Sequence, residues 1–301
     1  MERVRKHKII DGRKDRALDR LLSVITLIYT LLVLYPLVFV LSASFSSGQA
    51  VSSGRVILWP VDFSIAGYDL VFNNKVVWTG YLNTIIYTVA GTAINLFLTM
   101  LAAYPLSRKD FSGRKLCLLL FLIPMFFRGG MIPTYILMGK LHLLNTRWAI
   151  LLSEAISIYN VVVMRTFFKN SIPNELYEAA KIDGVSDIGY FTQIVLPLSK
   201  AVIAVIVMFY AVGHWNAYFD AMIYLHKQEL MPLQNILRSI TQSVTLDLNN
   251  FTNAEEYNST VGSVDVMKYA LVVIATVPIL VAYPFAQKYF EKGVTLGSVK
   301  G

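Results

Sequence analysis

Residues 21–44 read LLSVITLIYTLLVLYPLVFVLSAS, a run without one charged side chain. A bilayer's hydrocarbon core, about 30 Å thick, takes roughly 20 helical residues to cross, and this run is long enough. Backbone N–H and C=O groups find no water there, so they must be satisfied within a helix or around a closed barrel. The run is continuous rather than alternating, which selects the helix. Five more runs of this kind follow: Tyr81 to Leu106, Leu116 to Leu137, Trp148 to Phe168, Ala201 to Tyr224 and Tyr269 to Phe290. With 55% hydrophobic and 15% charged residues in 301, and a mean hydropathy of +0.55, the chain cannot hide these runs in one soluble core. The expected fold is all-α, a polytopic membrane protein with six transmembrane helices.

Lysine and arginine give the orientation. Arg3, Arg5, Lys6, Lys8, Arg13, Lys14, Arg16 and Arg20 precede the first run, and Arg108, Lys109, Arg114 and Lys115 follow the second. Arg165, Lys169, Lys181 and Lys200 flank the segment between the fourth and fifth, and Lys288, Lys292 and Lys300 lie at the tail. These regions hold most of the 27 basic residues, so the positive-inside rule places them, and both termini, in the cytoplasm. The net charge of +8 is therefore mostly a topology signal. It is split among helix ends rather than gathered on one soluble face, which argues against nucleic-acid binding. The first run is too long for a cleaved signal peptide, although Leu41-Ser42-Ala43 is a faint cleavage match. The single cysteine, Cys117, lies in the third run and reads as a small apolar filler.

No repeat or low-complexity tract divides the chain. The expected organisation is a cytoplasmic segment over 1–20, a permeating membrane domain over 21–290 and a cytoplasmic tail over 291–301. Two outer loops are substantial, Phe45 to Gly80 and about 225–267. In the second, Leu233, Ile236, Leu237, Ile240 and Val244 recur at helical spacing with Gln234, Arg238 and Gln242 between them. That pattern predicts a short amphipathic helix, lying on the membrane, on a partner, or on the protein's own outer surface.

The cytoplasmic segment at about 169–200 has its own logic. Pro173 can open a helix, Glu175 and Glu178 suit its positive N-terminal end, and Gly184 can supply the left-handed residue that ends it. Ser186 can cap a second short helix through Asp187 to Ile194, and Pro197 marks the turn into the fifth run. Ala179 and Ala180 keep one face low enough to seat in a partner's groove, while Glu178 and Asp183 offer charges to a cation across it.

The spacing from Glu178-Ala179-Ala180 through Gly184 to Ile194-x-Leu196-Pro197 resembles the EAA loop of ABC importer permeases. Further stretches resemble the carbohydrate-uptake branch, the one similar to the maltose permease's smaller subunit: Gly129 to Tyr135, Leu143-Leu144-Asn145-Thr146, Asp183-Gly184, Trp215 to Asp220 and Lys292 to Gly301. Within that branch the chain is most similar to lipoprotein-associated permeases for complex oligosaccharides. The resemblance implies import of carbohydrate across a bacterial plasma membrane, with the EAA segment as a coupling helix. It also implies partners: a second homologous permease, two copies of a cytoplasmic ABC ATPase that bind ATP and Mg, and an extracellular solute-binding lipoprotein. Peptide and other small-solute permeases share the EAA pattern, and only the Trp215 to Asp220 run and the tail favour sugars.

This chain is expected to be no enzyme and to bind no cofactor or metal itself. It contains no Gly-x-x-x-x-Gly-Lys-[Ser/Thr] phosphate loop, and His7, His142, His214 and His226 are too scattered for metal-ligand spacing. An ion-coupled secondary transporter would show similar halves and midplane carboxylates at broken helices, and neither is clear.

Polar residues inside apolar runs are costly in lipid and face cavities or partner helices. Asn83, Asn95, Arg128, Glu154, Asn160, His214, Asn216 and Asp220 stand out. Trp215 and Tyr218, beside Asn216 and Asp220, offer an aromatic surface next to amide and carboxylate groups, which suits the C–H faces and hydroxyl rims of sugars. The same residues suit an interfacial belt or a bond to a neighbouring helix. The candidate substrate path is Arg128, Asn160, Trp215, Asn216, Tyr218 and Asp220. Arg128 can attract an acidic sugar or pair with Glu154 or Asp220. In the maltose-type systems the resemblance assigns most sugar contacts to the larger subunit.

Overall fold

A computed structural model of the chain describes residues 13–127, 129–246 and 254–298. All regular structure among them is helical. The basic residues before 13, Arg128 and the end of the tail lie outside the described residues.

The chain forms two compact units. The first comprises residues 1–71 and 244–273. Its long helix α1 spans Arg13–Ser44, followed by α2, Gly48–Ser52, and α3, Ala66–Phe72. The apolar stretch of α1 from residue 17 to 37 is exposed throughout, as lipid-facing surface would be. Its hydroxyls are satisfied inside the helix: Thr26 and Thr30 each donate to the carbonyl four residues back, at 2.8 Å. Beyond it, Gly48 abuts the backbone of Gly262 so closely that a Cβ at either position would lie 2.6 Å from the other's carbonyl carbon.

The second unit comprises residues 72–243 and 274–301. Its helices are α4 (Lys75–Ser107), α5 (Arg114–Phe126), α6 (Met131–Lys140), α7 (Arg147–Ser153), α8 (Ile158–Ser171), α9 (Asn174–Ile182) and α10 (Asp187–Tyr190). A π-helical turn, Phe191–Val195, continues α10 into α11 (Leu196–Leu198). Then come α12 (Lys200–Asn216), α13 (Phe219–Tyr224), a 3₁₀ turn at Gln228–Leu230 and most of α14 (Leu233–Leu246); α15 (Ala254–Ser298) begins in the first unit and ends in the second.

Helix α4 is the post around which this unit packs. Its buried positions, among them Val77, Gly80, Thr84, Tyr87, Gly91, Asn95, Thr99, Ala103 and Leu106, step by three and four residues along one stripe. Against the C-terminal end of that stripe lie Val161, Met164 and Phe168 of α8 and Val202, Ile206 and Tyr210 of α12.

Residues 17–44, 75–107 and 261–284 form helices long and apolar enough to cross a membrane. Three bent pairs bring the number to as many as six: α5 with α6, α7 with α8 at 50°, and α10–α11 with α12 at 81°. The protein is an all-helical, multi-pass membrane protein. Three of the expected apolar runs are therefore interrupted. The third stops at Phe126 and resumes at Met131 after Gly130, whose φ of 86° is open to glycine alone at low cost. The fourth is broken between Ser153 and Ile158, and the fifth between Asn216 and Phe219, neither at a glycine or proline. Pro197 lies inside helical backbone; the turn into α12 comes two residues later, at Ser199.

Candidate functional site

The three helix interruptions line one cavity of about 940 Å³. Phe127, Gly129 and Gly130 come from the first, Glu154 and Ser157 from the second, and Ala217 and Phe219 from the third. Irregular backbone at membrane depth survives only where protein or cavity water meets its polar groups. At the second interruption α4 and α12 meet them. Asn95 donates its amide to the Glu154 carbonyl at 2.8 Å. The Tyr210 hydroxyl accepts the Ser157 N–H at 3.1 Å and bonds the Thr99 hydroxyl at 2.6 Å. The His214 ring occupies the space where a Cβ on Gly91 would stand, and its Nε2 reaches Asn95 Oδ1 at 3.4 Å.

Of the residues singled out in the sequence, Asn160, Asp220, Glu154, Asn95 and His214 line this cavity. Asn160 is only 5% exposed. Trp215 does not line it. Its ring is buried, stands edge-on to Tyr81, and donates Nε1–H to the Ala275 carbonyl at 3.0 Å. Asn216 bonds the Val212 carbonyl of its own helix, and the Tyr218 ring lies 5.5 Å from the Arg238 guanidinium; neither lines the cavity. Arg128 falls outside the described residues, between the lining residues Phe127 and Gly129. Sequence reasoning missed Tyr210 and Thr99, because a lone tyrosine or threonine in an apolar run carries no signal of its partner.

The second site is the elbow from α9 to α11. Pro173 takes the N-cap of α9 with Glu175 in its first turn. At the other end Gly184, with φ 75°, closes a Schellman motif: Val185 N–H bonds the Ala180 carbonyl at 2.9 Å and Gly184 N–H that of Lys181 at 3.2 Å. Ser186 then caps α10, its hydroxyl accepting the Gly189 N–H at 3.1 Å. Ala180, Tyr190 and Val195 sink into the core shared by α4, α8 and α12. Ala180 is thus packed in the protein's own core at 4% exposure, while Ala179 beside it is exposed. Ile194 is half-buried against that same core; Leu196 is half-buried, Pro197 exposed.

Outward face Glu178, Ala179, Asp183 and Gly184, with Ile182 86% and Ile188 77% exposed on either side of the turn. The Glu178 carboxylate accepts from Asn174 Nδ2 at 3.0 Å. A clamp holds α9 to the end of α4. The Arg108 guanidinium lies over the Tyr177 ring and pairs with Asp110 at 3.0 Å, while the Tyr177 hydroxyl donates to Asp187 at 3.0 Å. The hydrogen bond from Arg108 holds the Asp110 carboxyl below its ordinary range. The bond to Asp187, with burial, pushes the Tyr177 phenol up.

At the opposite end of α4, Asn83 donates to the Glu229 and Met231 carbonyls at 2.7 and 3.2 Å and accepts from Arg147 at 3.0 Å. Asn145, itself at φ 59°, caps the N–H groups of His226 and Lys227. The start of α14 is tied down as well, with Leu233 and Ile236 buried and Ile236 filling the space above Gly80. Among the described residues, no group of three or more His, Cys, Asp or Glu is placed to hold a metal ion.

Residues 95–296 match the family described as the binding-protein-dependent transport system inner membrane component, a stretch that takes in both the cavity and the elbow. The chain belongs to this family. It is 40% identical over 96% of its length to the polygalacturonan/rhamnogalacturonan transport system permease protein YtcP of Bacillus subtilis (strain 168), all of which is covered. To the protein LplC of the same strain it is 42% identical, with 90% of each chain covered. Among solved structures it is similar to a chain of a bacterial ABC transporter involved in the import of the acidic polysaccharide alginate. The TM-score there is 0.84 at 35% identity, covering 93% of this chain and 99% of the other. The resemblance to carbohydrate-uptake permeases drawn from the sequence is borne out by these relatives. This protein is a permease subunit.

Proposed function

We propose that this subunit is one half of the membrane gate of an ATP-driven carbohydrate importer, with oligosaccharides as its cargo. The observation that carries the reading is the construction of the elbow. Its outer face presents Ile182 and Ile188 to a partner, while its inner face shares a core with α4, α8 and α12, all of which reach the cavity. Tyr210 belongs to both, packing in the core and lining the cavity. The substrates for which the relatives are named, polygalacturonan or rhamnogalacturonan and alginate, support a sugar cargo.

In this reading the chain crosses the membrane six times, with α5–α6, α7–α8 and α12 as broken or bent spans. Both termini and the elbow face the cytoplasm, as the distribution of lysine and arginine favours. Its partners are a second permease, two copies of an ABC ATPase carrying ATP and Mg, and an extracellular solute-binding lipoprotein. Glu178, Ala179, Asp183 and Gly184 belong to the docking face, and Ala180, Ile194, Leu196 and Pro197 to its mounting. Closure of the ATPase pair carries the elbow with it, α8 and α12 follow, and the cavity changes its access.

The test is Ile182→Asp combined with Ile188→Asp in the assembled complex. Two charges in a desolvated apolar contact are expected to reduce ATPase co-purification and uptake at least about tenfold while membrane insertion is unchanged. Undiminished uptake would refute the docking assignment.

A further inference from the structure

We propose that the cavity of this subunit is itself a sugar subsite. Asn160, Glu154 and Asp220 take the hydroxyls of one ring, and Phe127, Tyr159 and Phe219 cover its C–H face. The inference rests on the importer reading above and goes beyond it, because it assigns a cargo contact to this chain's own side chains rather than to its partner.

The first observation is Asn160. The residue is only 5% exposed and lines the cavity, and no hydrogen bond to its side-chain amide is formed among the described residues. The amide is open to the cavity, where its donors and acceptor are free to bond water or a ligand. The second is the pair of carboxylates. Glu154 and Asp220 line the same cavity, and neither carboxylate makes a hydrogen bond or ion pair among the described residues. The third is the apolar wall: Phe127, Tyr159 and Phe219 line the space and are 78%, 57% and 49% exposed. Acceptors, an amide and bare aromatic rings around 940 Å³ match the chemistry of a sugar ring, whose hydroxyls need acceptors and whose C–H faces lie on aromatic surfaces.

Charge refines the class. Glu154 and Asp220 are carboxylates and themselves repel an anion brought against them. The ring at this subsite therefore presents hydroxyls to them. An acidic oligosaccharide turns its carboxylates away from these two side chains.

The test uses the complete transporter, with partner permease, ATPase and binding protein, in proteoliposomes. Cys117 is replaced by serine, and Asn160→Cys, Tyr159→Cys and the control Leu141→Cys are introduced singly. The rate of labelling by a small methanethiosulfonate reagent is read on this chain during turnover, with galactotriose or trigalacturonate as the cargo. Occupancy of the subsite is expected to slow labelling at 159 and 160 several-fold and to leave 141 unchanged.

Asn160→Leu is expected to reduce uptake roughly tenfold, the worth of a neutral hydrogen bond or slightly more, with Asn160→Gln retaining most of it. Uptake of either sugar without protection at 159 and 160 would overturn the subsite and leave the importer reading standing. Equal protection at all three positions would overturn it as well. A complex that takes up neither sugar, nor arabino- or galacto-oligosaccharides, would overturn the importer reading and the subsite with it.

Discussion

The guanidinium of Arg108 lies 3.3 Å from the centroid of the Tyr177 ring, joining the C-terminal end of α4 to the helix that leads into the elbow. Stacking of this kind contributes about 0.5–2 kcal/mol, and Asp110 keeps the guanidinium in place. Arg108→Ala is expected to lower uptake per ATP hydrolysed several-fold while the ATPase still co-purifies. Arg108→Lys should restore only part, because an ammonium loses the planar stack and the two-point pairing. The ratio of sugar imported to ATP hydrolysed is the readout, and a normal ratio in Arg108→Ala would remove the clamp from the coupling route.

The same clamp sets a pH expectation. Because the folded Asp110 carboxyl titrates below its ordinary value of 3.8, its contribution is fully present above that value. It is lost only as pH falls through the lower folded value. The coupling ratio is therefore expected to stay flat from about pH 5.5 to about pH 8, where Asp110 remains ionised. A marked fall within that window in wild type, absent in Asp110→Asn, would contradict the assignment.

Gly184 isolates backbone strain from packing. No atom lies within 4 Å of where its Cβ would be, yet φ is 75°. Gly184→Ala is expected to cost roughly 1 kcal/mol through the left-handed conformation alone, with Gly184→Asn milder. Thermal unfolding of the purified complex, followed beside uptake, measures both.

Gly91 tests the cavity wall. A Cβ there would stand 2.4 Å from His214 Nε2, so Gly91→Ala must displace the imidazole that reaches Asn95. Overpacking of this sort costs about 1–3 kcal/mol. Adding His214→Ala should recover much of that loss, and a double-mutant cycle with no recovery would show that the ring is not the obstacle.

Tyr210→Phe removes one hydroxyl that serves both Ser157 and Thr99. Leaving the Ser157 N–H unpaired is expected to cost about 1–3 kcal/mol. Faster hydrogen exchange at residues 154–158, compared with wild type, is the check.

The sequence made some of this plain and concealed the rest for physical reasons. Apolar runs announce themselves by length, and caps such as Gly184 and Ser186 act on residues a few places away, so both were legible. The breaks at 154–157 and 217–218 carry no glycine or proline. The first is held by Asn95 and by Tyr210, itself bonded to Thr99, and at the second the Tyr218 carbonyl accepts from Asn235; each partner lies far off in the chain. Trp215 looked like a neighbour of Asp220, but successive residues on a helix point about 100° apart. Its ring faces Ala275 and Tyr81 while Asp220, beyond the break, faces the cavity. Ala180 read as an outward residue because its small size is equally useful in a core.

Helix α4 carries Asn83 near one end, Asn95 midway and Arg108 directly after its last turn, along 33 residues or about 50 Å. It works as a camshaft. In the importer reading, a twist of that single rod would shift the grip on the loop at 229–231, the prop under the broken helix and the latch at Arg108 in one stroke, tying the two faces of this half of the gate together.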